Sequence, residues 1–415
     1  MKKKAQAEPV ADVVIGGGGF VGLVLALALV RAEPRLGIAV VDAGEPGSSG
    51  GDQRASAVSA DVRLMLDRLG VWSAVEAAAS PIMRMVITDA RVGDVSRPGL
   101  LTFGGAGSEP AGEPLAYMVE NRPLLAALWQ AVESSPIRLI APDGAADFSV
   151  GDTSVQARLR SGATVAGRLL VGADGSRSLL RDLAGIPVVA WRYGQSALVA
   201  TVRHERDHEG IAYQHFLPPG PFARLPLRGP RSSLVWTEEA HVAEGLFRGS
   251  PDVLLSEMRK RFGGELGRVS FDGRVETYPL RLQIARRFFG PRFALVGDAG
   301  HTVHPLAGQG LNLGLRDAAA LAETIVEARR LGMDIGSTAV LERYDRWRRG
   351  ETLAMATLTD GLNRLFSRDW RPLRLVRGIG LGLVDRVPLV KDFLLEKARG
   401  AAGQGMPRLL TGEAI

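Results

Sequence analysis

The sequence predicts an α/β fold: a parallel sheet flanked by helices, an antiparallel sheet inserted into it, and helices at the C-terminal end. Three observations predict it. Residues 11–42 read as apolar strand, glycine-rich turn, apolar helix and second apolar strand, the pattern of a sheet covered on both faces. From about 188 to 284 the texture changes to alternating segments such as "ALVATVRH", "IAYQHFLP", "ARLPLR" and "SSLVWTEE", which predict antiparallel strands with one solvated face. "RFALVGD" then returns an apolar strand to the first sheet, and helices are expected from about Leu311 onward.

Composition narrows the class. A chain of 415 residues exceeds one small core and implies two domains. Its 46% hydrophobic and 23% charged residues are those of a soluble globular protein. The absence of cysteine excludes disulfides, thiolate metal sites and cysteine nucleophiles, and fits a reducing compartment. Six histidines lack metal-ligand spacing, so no metal is assigned. A net charge of +6 favours an anionic partner, but no nucleic-acid module is visible and the aromatics are not interleaved with the arginines. "MKKK" ahead of the uncharged run 13–30 resembles a signal or a membrane span; Glu8, Asp12 and four glycines at 16–19 favour a folded strand, turn and helix instead.

The elements follow in order. "ADVVI" is a strand and "VGLVLALALVRAE" a helix buried almost all round, closed by Pro34 and Gly37; "IAVVDA" is the second strand. A polar, basic helix is expected at 56–69, and the Gly/Pro-rich stretch 98–114 reads as a surface excursion. "ENRPLLAALWQAVES" is a helix and "IRLIA" a strand. "VQARLRSGATVAGRLLVGAD" is a hairpin about Ser161 and Gly162 feeding a third apolar strand. The expected division assigns 1–80, 115–187 and 286–360 to a discontinuous nucleotide-binding domain. Residues 81–114 and 188–285 go to a substrate-binding sheet domain, and 361–415 to a C-terminal helical region.

Chemistry concentrates at two glycine-rich turns. Gly17-x-Gly19-x-x-Gly22 follows a strand and opens a helix, and Asp42 ends the next strand. Gly17 makes the tight turn, Gly19 lets a pyrophosphate approach the backbone, and Gly22 allows close helix–strand packing. The helix N-terminus presents free N–H groups to phosphate, and Asp42 can accept ribose hydroxyls. This Rossmann-like pattern does not choose between NAD and FAD. The second turn is "GDAGHTVHPLAGQGLNLGLRD". Asp298 at a strand end is placed to bind hydroxyls, and Gly308 and Gly310 let backbone N–H groups approach a ligand. A plain helix cap, with His301 and His304 as ordinary loop residues, is the alternative these spacings leave open.

The chain resembles the group A flavoprotein monooxygenases, with the fold of para-hydroxybenzoate hydroxylase, and more narrowly the ubiquinone-biosynthesis hydroxylases (the UbiH/UbiF/VisC family with its UbiL-like members). The resemblance rests on "IGGGGFVG" with Asp42, on "LLVGADGSRSLLR" at 169–181, and on the turn at 297–317, whose "HPLAGQGLNLGLRD" is the most telling part. "QRAS", "VENR" and "LVW" also match. It implies FAD as cofactor and NAD(P)H as electron donor. Arg54 would reach the FAD, Arg122 would lie over its ribityl side, and Asp174 would sit near the pyrophosphate and the nicotinamide donor. Asp298 would bind the ribityl hydroxyls, with Gly297 and Asn312 in the same cofactor set. Pro305, Leu306, Ala307, Gly308 and Gly310 would line the isoalloxazine. No catalytic acid or base is assigned, His301 is expected to shape the loop, and Tyr193, Tyr213 and His215 are more readily core. Two departures stand out: Gly16 replaces an apolar residue, which would loosen the end of the first strand, and Asp42 replaces a longer glutamate.

The implied reaction passes one atom of O2, through a peroxyflavin, to the ring of a polyprenylated phenol, an intermediate of ubiquinone biosynthesis. The alternatives are a flavin monooxygenase of a soluble aromatic or polyketide, and a flavin-bearing scaffold without turnover. The expected location is cytoplasmic and peripheral to the inner membrane, with residues 362–400 meeting acidic lipid or partner subunits. The reading leaves room for a homo-oligomer.

Overall fold

The computed structural model describes residues 11–47, 52–94, 96–104, 112–367 and 405–415, apart from the side chain of Ala307. The membrane contact expected at 362–400 therefore falls almost wholly outside the described residues. Among these, no helix is long and apolar enough to cross a membrane.

The uncharged run near the N-terminus is the heart of a parallel sheet. Val13–Gly16 pairs in parallel with Ile38–Val41 on one side and Leu169–Gly172 on the other. Arg138–Ile140 and Phe293–Leu295 extend the sheet at its two flanks, also in parallel. All four residues of Val13–Gly16 are buried, as a central strand covered on both faces requires. The helix Phe20–Ala32 is buried continuously from Gly22 to Val30, against Asn121–Glu133 and the long helix Gln309–Arg330. The expected hairpin is present as Val155–Leu159 and Thr164–Gly167, turning through Gly162 at φ 92°. A third strand, Ala145–Val150, joins it, and Phe148 stacks on Phe293 of the parallel sheet.

Between these pieces stands the larger sheet. Its strands are ordered Leu101–Gly104, Arg84–Asp89, Ile211–Leu217, Gly220–Leu227, Arg231–Glu239, Val188–His204, Glu276–Ala285 and His301–Thr302, with Val269–Phe271 beside Val188–His204. All these pairs are antiparallel except Arg84–Asp89 with Ile211–Leu217. The strand Val188–His204 changes register against Glu276–Ala285 between Arg192 and Ser196, where Gly194 has φ 71°. Both halves pair with Glu276–Ala285, and Arg231–Glu239 joins only the second half, from Gln195.

Several expectations need correction. Gly220–Leu227 is buried at every position, not solvated on one face. The helices Ala240–Arg248 and Pro251–Phe262 cover one side of the sheet around Phe222, Trp236 and Met258. The small antiparallel sheet Ala55–Ser59, Ala116–Glu120 and Ser80–Ile82 covers part of the other. The helix expected at 56–69 is a strand as far as Ser59 and a helix only over Ala60–Arg68, because the first residues pair with Ala116–Glu120. The excursion 98–114 contains the strand Leu101–Gly104, whose Leu101 and Phe103 enter the core. Gly16 does not loosen its strand: it is in register with both Val41 and Gly172, and a Cβ there would lie 2.4 Å from Leu180.

The C-terminal region also differs. Thr338–Phe366 is one helix that runs past residue 360. Residues 405–415 are not a separate helical layer. Leu409, Leu410 and Ile415 join the core around the parallel sheet, and Arg408 pairs with Glu323 and Glu327 of Gln309–Arg330.

Candidate active site

The three glycine-bearing motifs meet because their backbones touch. Gly17 has φ 124°, and a Cβ there would sit 2.3 Å from the carbonyl oxygen of Ala173, in the Ala-Asp-Gly segment. A Cβ on Gly22 would lie 2.0 Å from the carbonyl of Gly17. On Gly314 it would lie 2.9 Å from Val21 and 3.0 Å from Gly297. Gly19 is different: nothing lies within 4 Å of its would-be Cβ, and the residue is exposed at the start of the helix Phe20–Ala32. Gly17 and Gly22 thus serve protein packing, while Gly19 faces open space ahead of a helix N-terminus, where an anion is favoured. Asp42 is fixed beside it by the N–H groups of Gly18, at 2.5 Å, and Gly44, at 2.7 Å. A carboxylate can accept more than two hydrogen bonds, so Asp42 retains capacity for hydroxyls.

Asp298 follows the strand Phe293–Leu295, in a short turn of 3-10 helix. Its side chain is reached by solvent, yet protein atoms crowd around its carboxyl. That crowding raises its carboxyl pKa, with His301, Arg54 and Arg281 pulling in the opposite direction. No hydrogen-bond partner is seen for it among the described residues. Arg54 is held by a two-point contact with Asp52, at 2.8 Å on each branch, and lies over the Tyr278 ring at 5.0 Å. Asp52 also accepts from the Asn121 side chain, so the residue before Arg122 braces Arg54. Arg122 itself is exposed.

Nearby lies a buried ionic network. Asp317, from "LRD", accepts from Gly297 N at 3.0 Å, from His301 Nε2 and from Arg348 Nε at 2.8 Å. Burial pushes its carboxyl up, but the neighbouring His301 and Arg348 outweigh burial and hold it below the ordinary range. Arg348 also pairs with Glu351, which pairs with Arg316, which pairs with Asp61. His301 is therefore locked into the loop rather than free to shuttle protons.

The turn after His301 faces the larger sheet. Leu306 packs with Phe216 and Phe366 in a small apolar cluster, and those two rings stack at 4.0 Å. Gly308 takes φ 65°, which lets Gln309–Arg330 start two residues earlier than Leu311. His304 is 1% exposed and packs edge-on to Tyr193, and neither ring nitrogen has a hydrogen-bond partner among the described residues. Tyr213 and His215 lie elsewhere, stacked near Arg224 and Phe222 on the helix-covered side of the sheet.

Known proteins place this architecture. The profile of a family described as an FAD binding domain matches residues 10–357. The chain belongs to that family. It is 44% identical to the ubiquinone hydroxylase UbiL of Rhodospirillum rubrum, over 98% of this chain and 94% of the relative. It is 37% identical to the 3-demethoxyubiquinol 3-hydroxylase of Escherichia coli, over 94% of this chain and 98% of that one. Among solved structures it is similar to the p-nitrophenol 4-monooxygenase PnpA of Pseudomonas putida, with a TM-score of 0.80 at 20% identity over 96% of this chain and all of the other.

The residues fit an FAD. Gly19 leaves room where a diphosphate would approach, and Asp298 offers a solvent-reached carboxylate. Two of the expected site residues make hydrogen bonds within the protein. Asn312 is 1% exposed; its carbonyl accepts from Ser59 and its amide donates to the carbonyl of Ala57, so it braces the turn. Asp174 caps its own loop, accepting from Ser178 Oγ and from Leu180 N. Sequence reasoning missed Arg348 and Glu351, since charges within "RWRRGE" look like a solvated helix face. It had His304 only as an ordinary loop residue, since its burial has no local signal.

Proposed function

We propose that this FAD-family chain is a monooxygenase that hydroxylates the ring of a polyprenylated phenol in ubiquinone biosynthesis. One oxygen atom of O2 enters the ring and the other leaves as water, with two electrons drawn from NAD(P)H. The flavin, when bound, supplies the chemistry that activates oxygen.

The chain's own residues bind, orient and exclude. Gly19 and the N-terminus of Phe20–Ala32 hold the diphosphate, Asp42 the ribose, and Asp298 and Arg122 the ribityl side. Pro305 to Gly310 present the ring system to the larger sheet, with Arg54 held ready by Asp52. Asp174 and Asn312 hold the turns in shape. The observation that carries the reading is the position of Leu306: the same turn that follows Asp298 packs into an apolar cluster with Phe216 and Phe366. Such a wall keeps water from the reacting atoms and suits an aromatic ring. The names of the UbiL and 3-demethoxyubiquinol relatives support the choice of phenol. Attachment to an inner membrane, membership of a biosynthetic complex and a homo-oligomeric state belong to the same reading.

The test is a lipid extract from a gene-deleted strain grown in air, with turnover by purified protein under isotopically labelled O2. The reading expects a prenylated phenol short of one oxygen to accumulate, and one labelled atom to enter that compound in vitro. A normal ubiquinone pool in a strain without a substitute paralogue overturns it.

A further inference from the structure

The strand Ile211–Leu217 carries a polar side chain with nothing to bond to. Tyr213 and His215 stack with Arg224 and Phe222 on the helix-covered side of the larger sheet. Gln214, between them, therefore points to the opposite face, the one that carries Phe216 and meets the turn at Leu306. It is 8% exposed, and its carboxamide makes no hydrogen bond among the described residues. An amide so buried normally has a partner, and one without calls for a partner from outside the chain.

Strand register shows what surrounds it. Gln214 stands opposite Ile87 on one side and Ala223 on the other, and the row continues through Val235 and Val199 to Glu276. Ile87, Val235 and Val199 are only half-buried, although they lie on inner strands of the sheet. Both ends of the row reach the elements assigned to the flavin. Ile87 packs against the cluster of Leu306, Phe216 and Phe366, and Tyr278, next after Glu276 on that face, lies under Arg54. Between the ends, Val235 packs on the cluster that holds Ala57, and a Cβ on Gly308 would lie 3.1 Å from that of Ala57. The row is thus an aliphatic strip facing the turn at 305–310, with one neutral hydrogen-bonding group in it.

Other polar groups on this face are less suited. The Thr237 hydroxyl is also buried without a partner, but it is hemmed in at Gly220, where a Cβ would come within 2.5 Å of the Thr237 methyl. Ser233 and Thr201 stand opposite each other, two residues beyond Val235 and Val199 on the side away from Phe216.

We propose that Gln214 recognises the ring hydroxyl of the phenol, while the ring itself lies on Val235 and Val199. The proposal rests on the functional reading above. A flat apolar body with one hydroxyl matches an aliphatic strip with one amide. The carboxamide both donates and accepts, so it meets the phenol and its phenolate equally. Gln214 moves no proton; it fixes how the ring lies against the turn.

The experiment measures binding by calorimetry on the FAD-loaded protein without oxygen. Its two probes are a phenol carrying one prenyl unit and the same compound with hydrogen in place of the hydroxyl. A site built around a hydroxyl rejects the analogue that lacks it, because its own polar group is then left unpaired. The wild type is expected to prefer the phenol by about tenfold or more. Gln214→Met, which keeps the length and loses the hydrogen bonds, is expected to abolish the preference, and Gln214→Glu, which keeps a hydrogen-bonding end, to retain it. Thr237→Val is expected to leave it unchanged. A preference that survives in Gln214→Met, or one lost in Thr237→Val instead, overturns the proposal and leaves the functional reading intact. Wild-type protein that hydroxylates no prenylated phenol in air overturns the functional reading and this inference together.

Discussion

Arg348 donates from Nε to Asp317 at 2.8 Å, with both side chains 1% exposed. This pair ties the helix Thr338–Phe366 to the turn at 297–301, because the other oxygen of Asp317 holds Gly297 and His301 in place. Removing the cation leaves a buried carboxylate facing only a histidine and a backbone N–H. Arg348→Ala is expected to cost about 3–5 kcal/mol of stability and to lower FAD content in the purified protein. Urea denaturation and the flavin absorbance per chain check it; a loss below about 1 kcal/mol contradicts the role given to the pair.

The two first-motif glycines should separate packing from binding. Gly17→Ala meets the Ala173 carbonyl from a strained backbone and is expected to destabilise even the FAD-free protein by at least about 2 kcal/mol. Gly19→Ala meets no protein atom, so the FAD-free melt should stay within about 0.5 kcal/mol of wild type while FAD binds at least about tenfold more weakly, about 1.4 kcal/mol. Titration of FAD into both apoproteins decides the matter. Equal affinity in Gly19→Ala and wild type would mean that the diphosphate lies elsewhere.

Asp298 makes a complementary case. Its carboxyl pKa is raised by crowding, so the folded apoprotein holds the charge at a cost that a ligand's hydroxyls would offset. Asp298→Asn should therefore melt no lower than wild type without FAD, yet gain less stability when FAD is added. A differential melt with and without cofactor reads this directly. A lower apoprotein melt with the full cofactor gain retained would show that Asp298 serves the fold.

Two buried histidines set an acid limit. Burial, reinforced by the charges of Arg97 and Arg224, pushes His215 down to about 3 from 6.5, and burial alone pushes His304 down to about 4 against the pull of Asp360. Below pH 6.5 the unfolded chain takes up a proton at each, whereas the folded chain does not until the pH nears those lowered values. The stability that their neutral forms contribute is complete above pH 6.5 and is lost as pH falls, at up to about 1.4 kcal/mol per histidine per pH unit. Denaturation curves at pH 7 and 5.5 should show that fall, and His215→Gln/His304→Gln should flatten it. A double variant with the wild-type slope would falsify the assignment.

The chain's last residues should matter for the cofactor domain. Leu410 is buried beneath Arg408, whose guanidinium pairs with Glu323 and Glu327, and Gly412 accepts from the Arg68 side chain. Leu410→Ala is expected to cost about 2–5 kcal/mol. Removal of 405–415 should cost more, with FAD retention falling in parallel. A truncated protein with an unaltered melt and full flavin would refute the docking.

Where geometry is local, the chain announced it. The strand, turn and helix at 13–32, Asp42, Asp298 and the hairpin at Gly162 follow from periodicity and from glycines that only tight turns require. What stayed hidden depends on distant partners. Nothing near Ser56 shows that Ala116–Glu120 will recruit it into a strand, and nothing near Asn312 shows that Ser59 and Ala57 will occupy its amide. Arg348 reads as a solvated helix charge until Asp317, thirty-one residues earlier, is placed against it.

The parallel sheet has a further consequence for how the protein is made. Its strands come from residues 13–16, 38–41, 138–140, 169–172 and 293–295, and the segment that buttresses it lies at 405–415. A ribosome delivers the turn at Gly17 and Gly19 first and Asp298 about 280 residues later. The nascent chain must hold an unfinished parallel sheet while the whole inserted sheet is synthesised, so completion of the parallel sheet is a late event in biogenesis. Closure of the first sheet therefore waits on completion of the second.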